Sequence, residues 1–349
     1  MKPRVLLGMS GGVDSSVAAM ILQEKGYEVT GISFRFFGND TEPEQYFNDA
    51  RQLAEKLKIS HSTVDLRQEF NQKIINYFVD EYLAGRTPFP CAKCNPEMKF
   101  SALEKYAEIN RCDYISTGHY AQIKQLNGKS FIYKGVDPDK DQSFFLWGLD
   151  SELLQKLILP LGEFTKIQIR KIAAEKGFLP LSEKKDSLGI CFTEGTDYRD
   201  FLKSMGVFSE PGNFVNPQGE ILGRHLGITN YTVGQRRGLG INLNFPVFVA
   251  EIRPDVNEIV LAEYNNLYRT KVKINDVQCS DIHDIRPDEV YDLKVHYRRG
   301  LTPCSLNILE GGRAEVHLLK PEAMIANGQT AVFYDGARLV GGGFIEWSE

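Results

Sequence analysis

The sequence has no apolar stretch as long as the roughly 18 residues that a membrane-spanning helix needs. We also expect no secretory leader, because the short apolar run near the N-terminus is followed by glycines and Asp14 instead of a cleavage site and reads as a buried first strand. Cysteine is scarce, with six in 349 residues, so without a leader we expect free thiols in a reducing compartment. These absences predict a cytoplasmic protein that is not attached to a membrane.

Positive charge is not in excess either, because 41 Lys and Arg stand against 46 Asp and Glu, a net charge of −5. Any binding of nucleic acid must therefore depend on local basic patches. The basic clusters are Lys166/Arg170/Lys171, Lys184/Lys185, Arg236/Arg237 and Arg298/Arg299. A basic run is usually a solvated face, but clusters in three successive regions of an acidic chain favour one long polyanion that crosses them.

The order of the predicted elements changes twice along the chain. In the first half, short β-rich runs alternate with helical periodicity, which predicts an α/β fold with a parallel sheet and helices on both faces. This half is also expected to contain one long helix, Gln68–Leu83, and a hairpin turned by Asn127-Gly128. A stretch rich in Gly, Pro and Asn follows, with short strand-like runs at Val247–Ile252 and Glu258–Ala262. After Thr270, five or six short strands predict a small closed antiparallel barrel. We therefore expect a nucleotide-binding catalytic domain at residues 1–205, a small central domain at 206–267 and a C-terminal β-barrel at 268–349.

A Gly- and Ser-rich loop follows the first predicted strand, with the sequence Gly-Met-Ser-Gly-Gly-Val-Asp-Ser-Ser at residues 8–16. Glycines let backbone amides approach an anion closely, and the following helix N-terminus adds free N–H groups. The loop lacks the Gly-Lys-Ser/Thr ending of proteins that transfer the γ-phosphate. A tight strand-to-helix turn is the alternative. The loop resembles that of the ATP pyrophosphatase superfamily, which implies cleavage between the α- and β-phosphates and transfer of AMP.

Two cysteines lie in sequences that suit reactive thiols. Cys94 precedes Asn95 and Pro96, a favoured N-cap and a favoured first helical residue, so we expect it just outside a helix N-terminus, where the dipole favours thiolate. Cys191 lies in a Ser- and Gly-containing stretch near two lysines. The alternative for both is a small buried apolar residue, which is our expectation for Cys112, Cys279 and Cys304.

Motifs along the whole chain resemble the bacterial tRNA-specific 2-thiouridylase family. In order, they are Gly85-Arg86-Thr87-Pro88, Cys94-Asn95, Lys99-Phe100, Ser116-Thr117-Gly118-His119-Tyr120, Lys140-Asp141-Gln142-Ser143, Asp186-Ser187-Leu188-Gly189-Ile190-Cys191-Phe192, the stretch from Thr232 to Gly240 and that from Gly341 to Glu346. The resemblance implies a tRNA-uridine 2-sulfurtransferase that uses ATP with Mg²⁺. The C2 oxygen of the wobble uridine would be adenylated, and sulfur would then displace AMP. The implied partners are the tRNAs for Lys, Glu and Gln and a sulfur-donor protein, either a cysteine desulfurase or a sulfur relay.

The resemblance also implies roles for individual residues. Cys191 would carry a persulfide and Cys94 would be its partner thiol. The implied ATP-binding residues are Gly8, Met9, Ser10, Gly11, Gly12, Val13, Asp14, Ser15, Phe34 and Gly118. The implied tRNA-binding residues are Phe89, Pro90, Cys91, His119, Lys140, Asp141, Gln142, His296, Tyr297 and Gln329. Asp14 would orient the loop or Mg²⁺, with helix capping as the alternative, and His119 would stand at the mouth of the site, with a surface or capping histidine as the alternative.

The chain departs from the family pattern at two positions, with Cys91 where the family usually has Asp and Phe89 where it usually has Asn. Cys91 creates a Cys-x-x-Cys arrangement, a spacing that suits zinc or an iron–sulfur cluster. One hypothesis is a [4Fe–4S] cluster on Cys91, Cys94 and Cys191 that binds the transferred hydrosulfide. The others are cluster-free persulfide chemistry with Cys91 as a spare or resolving thiol, and a substitution without a role. We also expect residues 182–196 to reorder when tRNA binds.

Overall fold

The computed structural model describes residues 2–38, 45–178, 189–281, 285–286 and 289–349. These residues pack as two compact units. The first unit comprises Met1–Lys73, Cys91–Leu188 and Ala337–Leu339, and the second comprises Ile74–Pro90, Gly189–Gly336 and Val340–Glu349. Lys184, Lys185 and residues 182–188 of the segment expected to reorder lie outside the described residues. The division into three domains at residues 205 and 267 stays a prediction.

The first unit is built on a parallel sheet. Its strands are β1 (Arg4–Gly8), β2 (Glu28–Arg35), β3 (Ser60–Asp65), β4 (Tyr114–Ser116) and a short strand, Leu157–Ile158, in the order β3-β2-β1-β4 with the short strand at the edge. All of the pairs are parallel. The apolar residues of central β1, Val5, Leu6 and Leu7, are fully buried. The expected parallel sheet is therefore confirmed.

Helices follow the strands of this sheet. The described helices are α1 (Val13–Glu24), α2 (Gln45–Leu57), α3 (Arg67–Phe70), α4 (Asn76–Leu83), α5 (Pro90–Cys94), α6 (Ser101–Ile109), α7 (Ser151–Lys156), α8 (Lys166–Glu175) and α9 (Tyr198–Ser204). Leu22 of α1, Leu53 of α2 and Ile169 of α8 share one apolar core with β1. α6 packs against β1 and β4 through Leu103, which lies next to Gly8.

The helix that carries Cys94 begins earlier than its sequence predicts. It starts at Pro90, and a π-helical turn, Asn95–Phe100, joins α5 to α6. Pro96 has no N–H and cannot take part in a regular α-helical ladder, which the wider π turn accommodates. Asn95 is not an N-cap, because its side chain is buried and its Nδ2 donates to the Phe145 carbonyl at 2.9 Å. Cys94 therefore lies inside a helical run, at φ −63° and ψ −37°, and the expectation that it stands outside a helix N-terminus is wrong.

The first half of the chain also contains a β-hairpin and an interrupted helix. The hairpin joins β5 (Ala121–Leu126) to β6 (Lys129–Lys134), and its turn residues Asn127 and Gly128 have φ of 52° and 77°. These positive angles are those of the predicted Asn-Gly hairpin turn. A second π turn, Asn71–Ile75, joins α3 to α4, so the single long helix expected there is interrupted by a wider turn.

The second unit contains a small four-stranded sheet. We number the short strand Leu157–Ile158 of the first unit β7. The strands of the small sheet are β8 (Gly212–Val215), β9 (Ile221–His225), β10 (Phe248–Arg253) and β11 (Glu258–Ala262), in the order β10-β11-β8-β9. The sequence predicted β10 and β11 but not the pair β8 and β9. Phe214, Val249 and Ile259 form the core beneath this sheet.

The C-terminal part of the second unit is the predicted closed barrel. Its strands are β12 (Tyr268–Cys279), β13 (Tyr291–Lys294), β14 (Thr302–Leu309), β15 (Arg313–Ala323), β16 (Thr330–Asp335) and β17 (Arg338–Ser348). The order is β12-β15-β14-β13-β16-β17, and pairing of β12 with β17 closes the ring. Residues that alternate along the strands, such as Val272, Ile274 and Val316, fill the interior.

The segment 74–90 packs onto this barrel within the second unit. The Thr87 amide donates to the Asn327 carbonyl at 2.8 Å, and Gln329 Nε2 donates to the Thr87 carbonyl at 3.0 Å. The rings of Tyr77 and Phe344 lie 6.1 Å apart. The segment therefore depends on residues about 250 positions later in the chain.

Candidate active site

The loop after β1 is shaped by close backbone approaches. The Met9 amide donates to the Ile32 carbonyl at 2.8 Å, and Ser33 Oγ donates to the Met9 carbonyl at 2.7 Å, so the loop is held against β2. Gly11 has φ +68°, and a Cβ there would stand 2.3 Å from the Tyr46 carbonyl oxygen. Only glycine fits this turn. The loop is therefore fixed in shape by its packing on the unit.

The N-cap of α1 is Gly12, which offers no side chain to the first-turn amides. The hydroxyl groups of Ser15 and Ser16 form hydrogen bonds within the loop itself. Ser15 Oγ accepts from the Ser10 amide at 3.2 Å and Ser16 Oγ donates to the Gly12 carbonyl at 2.7 Å, so both hold the turn together. The N–H groups and the positive dipole end of α1 are what the loop offers to an anion.

Gly118 lies against this loop. A Cβ at residue 118 would be 3.0 Å from both the Asp14 carbonyl carbon and the Ser15 amide nitrogen. Strands β1 and β4 are parallel neighbours, so the residues that follow them meet at one edge of the sheet, as expected from the sequence. Contact of Gly118 with ATP stays a prediction.

Asp14 is held by two residues that come from different parts of the first unit. Tyr120 Oη donates to Asp14 Oδ1 at 2.6 Å, and Lys166 Nζ lies 2.8 Å from both carboxylate oxygens. This arrangement excludes the expectation that Asp14 caps its own helix. The carboxylate is instead a fixed point at the first turn of α1, with its charge compensated by an ammonium group.

Lys166 is the first residue of α8, and its side chain is only 9% exposed. Its backbone is fixed by the capping box of Thr165 and Gln168 and by an N–H bond to Asp137 Oδ2 at 2.8 Å. A lysine with this burial is almost always paired. Lys166 is therefore not part of a solvent-facing basic cluster, and the expectation that it helps to bind a polyanion is wrong.

Phe34 lies at the C-terminal end of β2 and is half-buried. Its ring centroid is 5.9 Å from that of Tyr106 and 5.8 Å from that of Phe36. The parallel order of the sheet places the end of β2 at the same edge as the loop after β1. A role for Phe34 in holding a base stays a prediction.

His119 is buried, at 8% exposed, which excludes the alternative of a surface histidine. Its contact with tRNA stays a prediction. Its Nδ1 is 2.6 Å from Thr117 Oγ1, and its ring lies 5.7 Å from that of Phe100. Burial, with the charge of Lys99 acting in the same direction, lowers the pKa of His119 well below 6.5. The imidazole is neutral at pH 7.

The side chains of Asp141 and Gln142 form hydrogen bonds within the first unit. Asp141 is buried, and its carboxylate accepts from the amides of Gly135 at 2.9 Å and Ser143 at 3.1 Å. Gln142 Oε1 accepts from the Tyr120 amide at 2.9 Å. Asp141 therefore holds a turn and does not face a partner, which corrects the expectation for it, while Gln142 fixes the residue that bonds to Asp14. Lys140 is half-buried, and its contact with tRNA stays a prediction.

Cys91 and Cys94 belong to the first unit and are both half-buried on α5. Between them, Lys93 pairs with Glu97 at 2.7 Å. Across the described part of the chain, no group of three or more His, Cys, Asp or Glu side chains is arranged to hold a metal ion. The hypothesis of a [4Fe–4S] cluster on Cys91, Cys94 and Cys191 stays a prediction.

Cys191 belongs to the second unit and is exposed. It begins a short 3₁₀ turn, Cys191–Thr193, and the next residue, Phe192, is buried with its ring 5.2 Å from those of Phe78 and Phe201. Phe192 thus anchors the turn while the thiol beside it faces solvent. Cys191 is therefore accessible to a molecule in solution.

The other predicted contacts in the second unit are partly internal. Phe89 is half-buried and Pro90 is buried, and Gln329 bonds to the backbone of residues 87 and 88, so Gln329 positions this segment. His296 Nε2 lies 3.1 Å from the Ala323 carbonyl, and burial lowers the pKa of His296. The ring of Tyr297 lies 5.5 Å from Lys294 Nζ. Their contacts with tRNA stay predictions.

The remaining cysteines were expected to be buried, and this is confirmed for Cys304 only. Cys304 is fully buried in the barrel core, and Cys279 and Cys112 are half-buried. Burial raises the pKa of Cys279 to about 11, while burial and the charge of Asp292 raise that of Cys304 to about 12. Burial also raises the pKa of Cys112.

Sequence reasoning missed Lys166 and Tyr120 as parts of this site. Tyr120 follows the Gly118 motif and could have been found from that position. Lys166 is 152 residues from Asp14 in sequence, and no local pattern around it announces the contact. Only the packing of α8 beside α1 brings the two charges together.

Comparison with known families accounts for nearly the whole chain. Three family models match in succession, described as the tRNA methyl transferase HUP domain over residues 3–195, the tRNA methyl transferase PRC-barrel domain over 199–263 and the aminomethyltransferase beta-barrel domain over 270–345. The helices of the described part include none that is both long and apolar enough to cross a membrane.

Several relatives are similar over their full length. The tRNA-specific 2-thiouridylase MnmA 2 of Phocaeicola vulgatus is 45% identical over 344 residues, which cover 98% of this chain and 97% of the relative. MnmA 1 of Bacteroides fragilis is 45% identical over 360 residues, covering 99% and 98%. MnmA of Amoebophilus asiaticus is 42% identical over 364 residues, covering 99% and 96%.

The first unit is thus built on a HUP-type nucleotide-binding fold with a Gly- and Ser-rich loop after its first strand. The chain belongs to the tRNA-specific 2-thiouridylase family, a family of sulfurtransferase enzymes.

Proposed function

We propose that this enzyme thiolates the C2 position of the wobble uridine in tRNA, using ATP to activate the base. The observation that carries the proposal is the loop at residues 8–16, where the start of α1 is left uncapped by side chains and Gly118 is pressed against Asp14 and Ser15. A carbonyl oxygen is a poor leaving group until it is adenylated. The loop supplies amides for a pyrophosphate that departs.

The reaction has two halves. The C2 oxygen of the uridine attacks the α-phosphorus of ATP and pyrophosphate leaves, with Mg²⁺ as the counter-ion of the phosphates. The terminal sulfur of a persulfide on Cys191 then attacks C2, and AMP leaves with the former base oxygen. Cys94 is the thiol that releases the new thiouridine from the Cys191 sulfur. The two thiols end as a disulfide, which an external thiol reductant must reduce before the next turnover.

The exposure of Cys191 supports its role as the sulfur carrier. A carrier thiol must meet a donor protein, either a cysteine desulfurase or a sulfur relay, and so has to be accessible. The tRNAs for Lys, Glu and Gln are the substrates that the resemblance implies. Cys91, which replaces the usual Asp, is assigned no step in this scheme.

The test is reconstitution with ATP, Mg²⁺, tRNA and a persulfide donor, followed by mass analysis of the nucleosides. Wild-type enzyme should form 2-thiouridine and release pyrophosphate only when tRNA is present. Cys191→Ser should abolish the thiouridine and still bind tRNA, and Cys94→Ser should lose turnover. Cys279→Ser, at a thiol whose pKa is raised to about 11, is the matched control and should remain active.

Three outcomes would contradict the proposal. Pyrophosphate released on a small metabolite without tRNA would indicate a different enzyme that shares the loop. Normal thiouridine content with Cys191→Ser would remove this residue as carrier. The third outcome is stoichiometric iron and sulfide after anaerobic purification, both lost together with activity in Cys91→Ser. It would favour the [4Fe–4S] cluster over persulfide chemistry.

A further inference from the structure

Three aromatic rings form a continuous row on the second unit. Phe248 of β10 lies 5.5 Å from Tyr264, and Tyr264 lies 5.6 Å from Tyr268 of β12, measured between ring centroids. We refer to Phe248, Tyr264 and Tyr268 as the aromatic ladder. It runs from the small sheet to the barrel, because the turn Tyr264–Leu267 contacts both β10 and β15.

The two tyrosines of the ladder are partly exposed. Tyr264 is 38% exposed and Tyr268 is 44% exposed, while Phe248 is half-buried. Adjacent rings meet at interplanar angles of 62° and 88°, which are edge-to-face arrangements. Such contacts stabilise neighbouring rings and hold them in fixed orientations. The ladder therefore places two ordered and partly exposed tyrosine rings at the surface.

Arginines flank both ends of the ladder. The guanidinium of Arg236 lies 5.9 Å from the centre of the Phe248 ring. At the other end, Arg299 Nη1 donates to the carbonyl of Ala323 at 3.4 Å, and Ala323 is the register partner of Tyr268. Their sequence neighbours Arg237 and Arg298 are exposed.

An acidic group moderates the positive charge at the Arg299 end. Glu322 lies 3.6 Å from Arg299 and within 4.0 Å of His296, and it accepts from Thr302 Oγ1 at 2.9 Å. Arg236, Arg237 and Arg298 are exposed cations near the ladder. They would attract the phosphates of a polyanion.

We propose that the aromatic ladder is a stacking site for unpaired bases of the RNA substrate, with the flanking arginines holding the adjacent phosphates. This deepens the proposed function and rests on it. In a duplex the base faces are covered, so an exposed tyrosine face can stack only on a base that is splayed out. Tyr264 and Tyr268 fall between the residues matched by the last two family models, 199–263 and 270–345, so the family match assigns them no role.

The test measures the affinity of a tRNA transcript for four variants beside the wild type. The double variant Tyr264→Ala/Tyr268→Ala should bind about 5- to 150-fold more weakly, the range for losing one stacked base. Tyr264→Phe/Tyr268→Phe keeps the ring faces and should stay within about twofold. Phe208→Ala removes an aromatic residue that is 71% exposed and lies outside the ladder, and should have no effect.

Salt dependence separates stacking from charge. The alanine double variant should keep the slope of log affinity against log salt, whereas Arg236→Gln should reduce that slope by about one. Binding of a fully paired RNA of equal length should not change in the alanine variant. Unchanged tRNA affinity in the alanine variant, or an equal loss on paired RNA, would overturn the ladder as a stacking site.

Thiouridine formation is measured on the same preparations. If the wild type thiolates tRNA and the alanine variant has the same KM for tRNA, the ladder proposal fails while the proposed function stands. If the wild type forms no thiouridine, the proposed function fails by itself. Thermal unfolding is recorded for every variant, and each should remain folded at the temperature of the binding assay.

Discussion

The pair formed by Asp14 and Lys166 leads to a quantitative prediction about ATP use. The two side chains are 34% and 9% exposed. Removing one partner of a fully buried ion pair costs about 3–5 kcal/mol, and the partial exposure of Asp14 reduces this to about 1–3 kcal/mol. In Lys166→Met the apolar stem is kept, but the Asp14 carboxylate would face the incoming phosphates without its counter-ion.

The assay is a double-mutant cycle on tRNA-dependent pyrophosphate release. With Lys166→Met, Asp14→Asn and the double variant, kcat/KM for ATP should fall in each single variant. The double variant should deviate from the product of the two effects by about 5- to 150-fold, which corresponds to a coupling of about 1–3 kcal/mol. Lys166→Arg should retain more activity than Lys166→Met, because it keeps the charge.

The chain supplies its own control for this cycle. Lys176 and Glu24 also join the ends of α8 and α1, but their side chains are 48% and 58% exposed. The cycle of Lys176→Met and Glu24→Gln should show a coupling below about 1 kcal/mol. If the effects at Asp14 and Lys166 multiply to within about twofold, or the control pair couples as strongly, the reasoning is refuted.

Three further predictions follow from the site and its surroundings. Gly118→Ala should raise KM for ATP at least tenfold, because its Cβ would stand 3.0 Å from the loop backbone. Gly300→Ala is the control and should leave KM unchanged, because residue 300 has open space around it. Equal KM values for the two variants would contradict the close approach. Burial lowers the pKa of His119, so below about pH 6.5 the unfolded chain binds a proton that the folded chain does not bind. The stability of the fold therefore falls as the pH drops from 7 to 5, by at most about 1.4 kcal/mol per pH unit. His119→Gln should flatten this fall in Tm, and an unchanged profile would show that His119 does not titrate as described. Brief alkylation at pH 8 should label the exposed Cys191 before Cys279 and Cys304. The pKa values of Cys279 and Cys304, about 11 and 12, leave roughly one thiolate in a thousand or fewer at this pH. The order of labelling is measured by peptide mass analysis, and the reverse order would contradict the prediction.

The sequence predicted the architecture well, because the signals for it are local. Alternation of strands and helices predicted the parallel sheet, and the Asn127-Gly128 turn and the six short strands predicted the hairpin and the barrel. The pair β8 and β9 was missed, since Gly and Pro around Gly212–Val215 read as loop. Its strands are short and gain their order from the core around Phe214.

Site residues were predicted less well wherever a residue's role depends on distant partners. Asn95-Pro96 has the composition of a helix start, yet the helix begins at Pro90 because Asn95 bonds to Phe145, 50 positions away. Asp141 and Lys166 read as surface charges, and both are buried with partners. Local composition reports the preference of a segment, whereas burial of a charge is decided by tertiary packing.

The placement of segment 74–90 has a consequence for how the protein is made. Tyr77 and Thr87 find their partners on Phe344 and Asn327, which the ribosome adds some 240 or more residues later. Throughout that interval, this stretch must wait without the surface against which it will rest. Segment 74–90 therefore reaches its final packing only after the barrel has been synthesised and has closed.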